Sequence, residues 1–217
     1  MKLWIISLAF ALSFNSLAEG KASQQKDIIS YCISADCDYY IFHKYYEKNA
    51  PRFCFERNLI INDERKRSVL SFVLKEIEKS SLDISSIVIP IMESSLSPNE
   101  VSGDYENAAA GLWQFKPATA RDVGLIVNDL VDERFDIKKS TKAAIKYLEW
   151  LDKKFDGKHN LTVLAYHVGV GRLSRKIKET GIDNPWYLSQ MFQHSAPDKN
   201  YLMKYHAYTL SLMNKGC

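Results

Sequence analysis

Residues 140–157, STKAAIKYLEWLDKKFDG, repeat an apolar side chain every four positions: Ala143, Tyr147, Leu151 and Phe155. That spacing stacks them on one face of an α-helix. Ser140 is placed to cap its start, and Gly157 to end it in left-handed backbone. The stretch that follows, NLTVLAYHVGVG at 160–171, predicts a shorter apolar helix from Asn160 to Val168 that stops at Gly169. Toward the N-terminus, Pro117 suits a first helical position and Gly124 the end of that short helix. Asp83 can cap a helix through Ile87, Ile91 and Ser94, with Pro90 expected to kink or shorten it. Asn62 or Asp63 can cap another to about Ser80, with Val69, Phe72, Val73, Glu76 and Ile77 at helical spacing. Toward the C-terminus a last helix runs from about Asp198 to Asn214.

Strand signals are weak, and repeats, low-complexity tracts and Pro/Gly-rich linkers are missing from the sequence. The expected fold class is all-α. Residues 1–18 are expected to be a leader, 19–61 an aromatic-rich, Cys-bearing helical extension, and 62–217 the main domain. The leader rests on Lys2, on an apolar run from Leu3 to Phe14 broken only by Ser7 and Ser13, and on the small-x-small site Ser16-Leu17-Ala18. That run is short for a bilayer span, so no stable membrane span is expected after cleavage, and the product is expected to be periplasmic or otherwise exported.

At 217 residues and 46% hydrophobic, the chain can bury a substantial core. Aromatic residues make up 12%, including 12 Tyr, and such faces suit sugars as well as cores. Loss of Lys2 with the leader leaves 28 basic against 26 acidic residues. That near balance argues against a nucleic-acid partner, and Glu64-Arg65-Lys66-Arg67 is one solvated helix face. Cys32, Cys37, Cys54 and Cys217 all follow the leader, and an even count in an exported chain favours two disulfides. Three connectivities are open. One pairs Cys32 with Cys37 across a short loop and leaves Cys54 and Cys217 to join the N-terminal region to the C-terminus. A zinc site is the weaker alternative, because CxxC spacing is missing. Neither HExxH nor GxSxG occurs, and no cofactor is implied.

Residues 93–171 hold an ordered set: Glu93-Ser94, Ser102, Gly111-Leu112-Trp113-Gln114-Phe115, then Ala165-Tyr166-His167 with Gly169 and Gly171. In this order the motifs resemble those of the soluble-type (SLT domain) lytic transglycosylases, relatives of goose-type lysozyme, over about residues 84–180. The resemblance implies a lysozyme-like helical domain acting on peptidoglycan glycan strands. It also implies that Glu93 works alone, protonating the leaving oxygen and then acting as base on the muramic acid 6-hydroxyl, so that a 1,6-anhydro sugar forms without water.

The residues bear that chemistry independently. Glu93 follows the apolar stretch Ile87–Met92, and desolvation raises a carboxyl pKa, as a glycosidic acid requires. Ordinary glycosidases use two carboxylates. The candidates for a second here are Glu100, Asp104 and Glu106, which a hydrolytic muramidase would need. Ser94 is placed for a local helix-end hydrogen bond. Ser102 is either a loop residue or, by the resemblance, a hydrogen-bond donor near the carboxyl or the sugar. Gln114 offers donor and acceptor to acetamido or hydroxyl groups, Trp113 either stacks or packs, and Leu112 and Phe115 belong to the core. By the resemblance Tyr166 points its hydroxyl at Glu93. Two departures stand out: His167 where the family has Asn, and about three extra residues in the 103–110 loop. They motivate the alternative of a non-catalytic peptidoglycan-binding or assembly protein. No C-terminal wall-binding module is expected after the last helix. Short enzymes of this type resemble those that open local gaps for secretion or conjugation machinery.

Overall fold

The computed structural model describes residues 26–103, 105–192 and 200–213. The leader, Asp104, both ends expected for the last helix (Asp198 and Asn214) and Cys217 lie outside them. The described chain is predominantly helical. Its helices are α1 (26–34), α2 (Tyr39–Asn62), α3 (Glu64–Ile77), α4 (Val88–Ser94), α5 (Pro117–Asp122), α6 (Ile137–Lys154), α7 (His159–Val168), α8 (Val170–Thr180), α9 (Pro185–Phe192) and α10 (Tyr201–Met213). One two-residue antiparallel pair, β1 (Val101–Ser102) with β2 (Ala109–Ala110), interrupts them.

The chain divides into two compact units, with the boundary between Lys48 and Asn49. In the first, Cys32 and Cys37 form a disulfide, and Tyr31 and Phe42 meet with ring centroids 5.9 Å apart. Asp38 accepts from the Ile41 amide at 3.1 Å and so starts α2. Cys54, in the second unit, is also disulfide-bonded.

In the second unit the caps decide where helices begin. Asp63 accepts from the Lys66 amide, so α3 starts at Glu64. Asp136, and not Ser140, caps α6, accepting from Lys138 and Lys139. Ser140 lies one turn inside and returns its hydroxyl to the Asp136 carbonyl at 2.6 Å. The α6 face read from the sequence is buried at Ala143 and Leu151, and the chain leaves α6 through left-handed Asp156 and Gly157. Asp83 caps a 3₁₀ turn over Ile84–Ile87 that passes directly into α4. Pro90 therefore falls in the first turn of α4, where its missing N–H costs the helix little.

Helix α10 is the most enclosed element. From Tyr201 to Ser211 every residue except Lys204 is buried, and α10 packs against α4, α7 and α9. Leu148 and Leu151 of α6, Val163 and Leu164 of α7, Leu173, Leu188 and Leu202 fill the space between the helices. A helix buried on all sides must place its polar side chains on internal partners. Tyr205 accordingly donates to Ser85 Oγ at 2.7 Å, Tyr208 donates to Glu56, and His206 pairs with Asn160 Oδ1 at 3.0 Å.

Candidate active site

Helix α4 ends one residue after Glu93. Ser95 and Leu96 both take left-handed backbone, at φ 51° and 61°. Their amides return to the carbonyls of Ile91 (2.9 Å) and Pro90 (3.3 Å). Consecutive left-handed non-glycine residues are costly and persist only where the surroundings hold them. Ser94 supplies part of that hold. Its buried hydroxyl bonds the Pro90 carbonyl at 3.1 Å and the Leu112 carbonyl at 2.8 Å. The local helix-end bond expected of Ser94 is present, and the second bond fastens the segment 111–115 to the end of α4.

That segment is a turn closed by the Gln114 amide on the Gly111 carbonyl at 3.2 Å. Gly111 has φ +79°, and a Cβ there would lie 1.9 Å from the Arg134 carbonyl oxygen, so only glycine fits. Gln114 also takes left-handed backbone, at φ 49°. Its side-chain amide is consumed within the protein: Nε2 donates to the carbonyls of Gly111 (2.9 Å) and Glu100 (3.1 Å), and Oε1 accepts from Ser102 at 2.5 Å. Gln114 and Ser102 therefore brace each other in the loop, and neither hydrogen-bonds Glu93. Arg134 closes the frame from behind, donating to the carbonyls of Ala108 (2.7 Å) and Phe115 (3.1 Å) and pairing with Asp132 at 2.6 Å. Trp113 is 0% exposed and donates its indole N–H to Thr141 at 3.0 Å. Of its two readings the structure shows packing, with no face left for a sugar. Leu112 and Phe115 are core, as expected.

The hydroxyl on Glu93 comes from an unexpected place. Tyr166, expected to donate to the carboxyl, instead donates to the Trp113 carbonyl at 2.7 Å. A tyrosine has one proton to give, so that bond excludes the other. Tyr201, at the start of α10, donates to Glu93 Oε1 at 2.7 Å. Tyr201 is not singled out by the sequence, because it stands 108 residues away in an apolar helix. The signal available is a helix that carries Tyr201, Lys204, Tyr205 and Tyr208 along an otherwise apolar surface.

Burial pushes the Glu93 pKa up, while the Tyr201 hydroxyl and the Lys204 charge pull it back. Among the described residues whose carboxyl pKa is clearly displaced, Glu93 alone moves upward. Burial and the Glu93 charge hold the Tyr166 and Tyr201 phenols well above the usual range, so both remain donors. His167 stacks on Tyr201 with centroids 3.9 Å apart and planes 10° from parallel. Of the other loop carboxylates, Glu100 and Glu106 are exposed. Among the described residues no group of three or more His, Cys, Asp or Glu could hold a metal ion, and no helix is long and apolar enough to cross a membrane.

Residues 73–189 match the family model described as "Transglycosylase SLT domain". The membrane-bound lytic murein transglycosylase D of Escherichia coli, in two strains, is 36% identical over 114 residues, covering 52% of this chain and 25% of that protein. The peptidoglycan transglycosylase gp16 of Escherichia phage T7 is 44% identical over 64 residues, covering 29% of this chain and 5% of that protein. The matched part thus spans a quarter or less of the length of these relatives.

Proposed function

This chain belongs to the transglycosylase SLT domain family, and from that membership we propose that it is an exported lytic transglycosylase of peptidoglycan. It cleaves the bond between MurNAc and GlcNAc, with Glu93 as acid and then base. The observation that carries this reading is a partly buried carboxyl whose proton affinity is raised by burial, with one hydroxyl donor on it. Such an acid holds its proton to higher pH than an exposed carboxyl does and still has a partner for the anion it becomes.

In the proposed sequence Glu93 gives its proton to the glycosidic oxygen as the C1–O bond breaks, with the N-acetyl group assisting at C1. The carboxylate, stabilised by Tyr201, then takes the proton of the MurNAc 6-hydroxyl as O6 bonds to C1. The acid is regenerated, no water is consumed, and the product carries a 1,6-anhydro end. Tyr166 contributes indirectly, by tying the Trp113 carbonyl and hence the 111–115 turn that Ser94 fastens to α4. In this proposal the leader at 1–18 directs the activity to the periplasm, and an extension at 19–61 precedes the enzyme domain at 62–217, a division set later in the chain than the parting of the two compact units between Lys48 and Asn49.

Purified sacculi are digested with the mature protein and with Glu93→Gln, and the muropeptides are weighed. Anhydro ends, lighter by one water than hydrolytic ends and lost in the variant, support the proposal. Reducing ends would instead show a muramidase, and binding without release a non-catalytic wall protein.

A further inference from the structure

Tyr201 is the first residue of α10. Its backbone is held from one side by Asn200, which accepts from the Met203 amide and donates to Ser189 at 3.0 Å each. That fixes where the helix starts but not where the phenol points, because a first-turn residue has no preceding helical turn to pack against. The direction of the ring is set by the side chains packed around it, and the ring stacked flat on it is His167.

We propose that His167 is a positioning residue for the reaction: its imidazole, lying flat on the Tyr201 ring, holds the Tyr201 hydroxyl on Glu93. This rests on Glu93 being the catalytic acid, as proposed above. The two planes are nearly parallel at 3.9 Å, closer than most aromatic pairs in proteins. His167 lies in the last turn of α7, the helix that also carries Tyr166, so the brace is built on an element packed against α6 and α10. Among the described residues the imidazole nitrogens have no hydrogen-bond partner, so what the side chain gives the protein is its face. An Asn in this place has no ring to offer.

The charges around His167 suit this role. Lys204 approaches from α10 and Arg172 from α8, where the guanidinium rests on the Phe192 ring at 5.1 Å. His167 keeps part of its surface exposed; desolvation where its ring is covered, then these two cations, lower its pKa to about 4. A neutral imidazole stacks on the phenol without adding a positive charge to the acid's surroundings. The Glu93 carboxyl itself is faced by Tyr201 and Lys204 from α10, with Tyr166 of α7 close enough to feel its charge.

The test reads Glu93 directly. The carboxyl is titrated by ¹³C NMR in the full chain and in His167→Ala, His167→Phe, Tyr201→Phe and the Tyr201→Phe/His167→Ala double variant, each first shown to be folded by its melting transition. The expected result is an upward shift in Tyr201→Phe and in His167→Ala, none in His167→Phe, and no further shift in the double variant. In sacculus digestion the same series should lose kcat about tenfold, the scale of one hydrogen bond to a charged group, with KM within about twofold, and His167→Phe should recover most of the rate. The proposal is overturned if His167→Ala leaves the titration unmoved, if His167→Phe behaves as His167→Ala does, or if the two substitutions add in the double variant. It is also overturned if KM rises while kcat holds, because His167 would then be touching substrate. Failure of the enzymatic reading looks different: anhydro ends would be missing from the wild-type digest, and the titration would still decide the brace.

Discussion

At the scale of single residues, Glu93 is where stability and the proposed chemistry oppose each other. Its folded pKa is raised, so the folded state is favoured by this group below about pH 4.5, its unfolded value, and penalised as pH rises through the folded one. Glu93→Gln removes that penalty while keeping an acceptor for Tyr201. It should raise Tm at pH 7.5 by roughly 2–4 °C, what about 1 kcal/mol is worth in a chain of this length. At pH 4 the gain should vanish; equal gains at both values in scanning calorimetry would contradict the linkage. Tyr201→Phe acts oppositely on the same carboxyl. The donor that favours the anion is gone, so the alkaline limb of the kcat profile should move to higher pH as the rate falls about tenfold.

Glu93, Ser94 and Gly111 are legible in the sequence because their neighbours explain them: an apolar wall, a helix end and a turn. Tyr166 was legible as a neighbour of the Glu93 region but not in its bond, since two tyrosines compete for one carboxyl and only packing decides between them. Tyr201 and Arg134 were not legible, because their partners come from distant parts of the chain and depend on tertiary placement.

At the scale of elements, the short pair β1–β2 and the turn at 111–115 form one frame, pinned by Ser94, Arg134 and the Ser102–Gln114 bond. The frame has no slack at Gly111. A Cβ would meet the Arg134 backbone oxygen at 1.9 Å, at a φ that side chains avoid. Gly111→Ala should therefore cost about 3 kcal/mol or more, combining left-handed strain with a backbone displacement, and a urea titration would read it. An unchanged midpoint would mean that the 3₁₀ turn at Glu133–Phe135 can withdraw. Helix positions were readable from spacing, while helix starts followed the capping side chain. Asp136 outcompeted Ser140 at α6 because a carboxylate can accept from two amides at once.

At the scale of the whole molecule, three histidines oppose acid. His206, buried and stacked on Trp186, has its pKa lowered to about 3 and dominates; His159 is lowered by burial, and the exposed His167, lowered to about 4, adds less because solvent screens it. Each binds a proton in the unfolded chain below about pH 6.5 but resists it when folded. Their contribution to stability is complete above that value and is lost as pH falls toward the folded values. Glu93 works in the other sense and offsets part of the loss. Tm should therefore fall steadily from pH 6.5 to 4, and His206→Gln should flatten the slope; a flat profile in the wild type would refute the linkage. The all-helical class was plain in the sequence because the apolar period is local, whereas the enclosure of α10 is a property of the assembled unit.

That enclosure sets an order of events. The donor on Glu93 arrives with α10, 108 residues downstream, so the pair forms only when a long loop of chain has closed, one of the slower steps available to a small protein. On refolding from urea, helical ellipticity should return before glycan cutting does. Activity that reappears with the first helices would refute this. Under the proposed function, a chain still threading toward its destination carries the glutamate but not yet the tool, and the ability to cut is withheld by kinetics until folding is nearly finished.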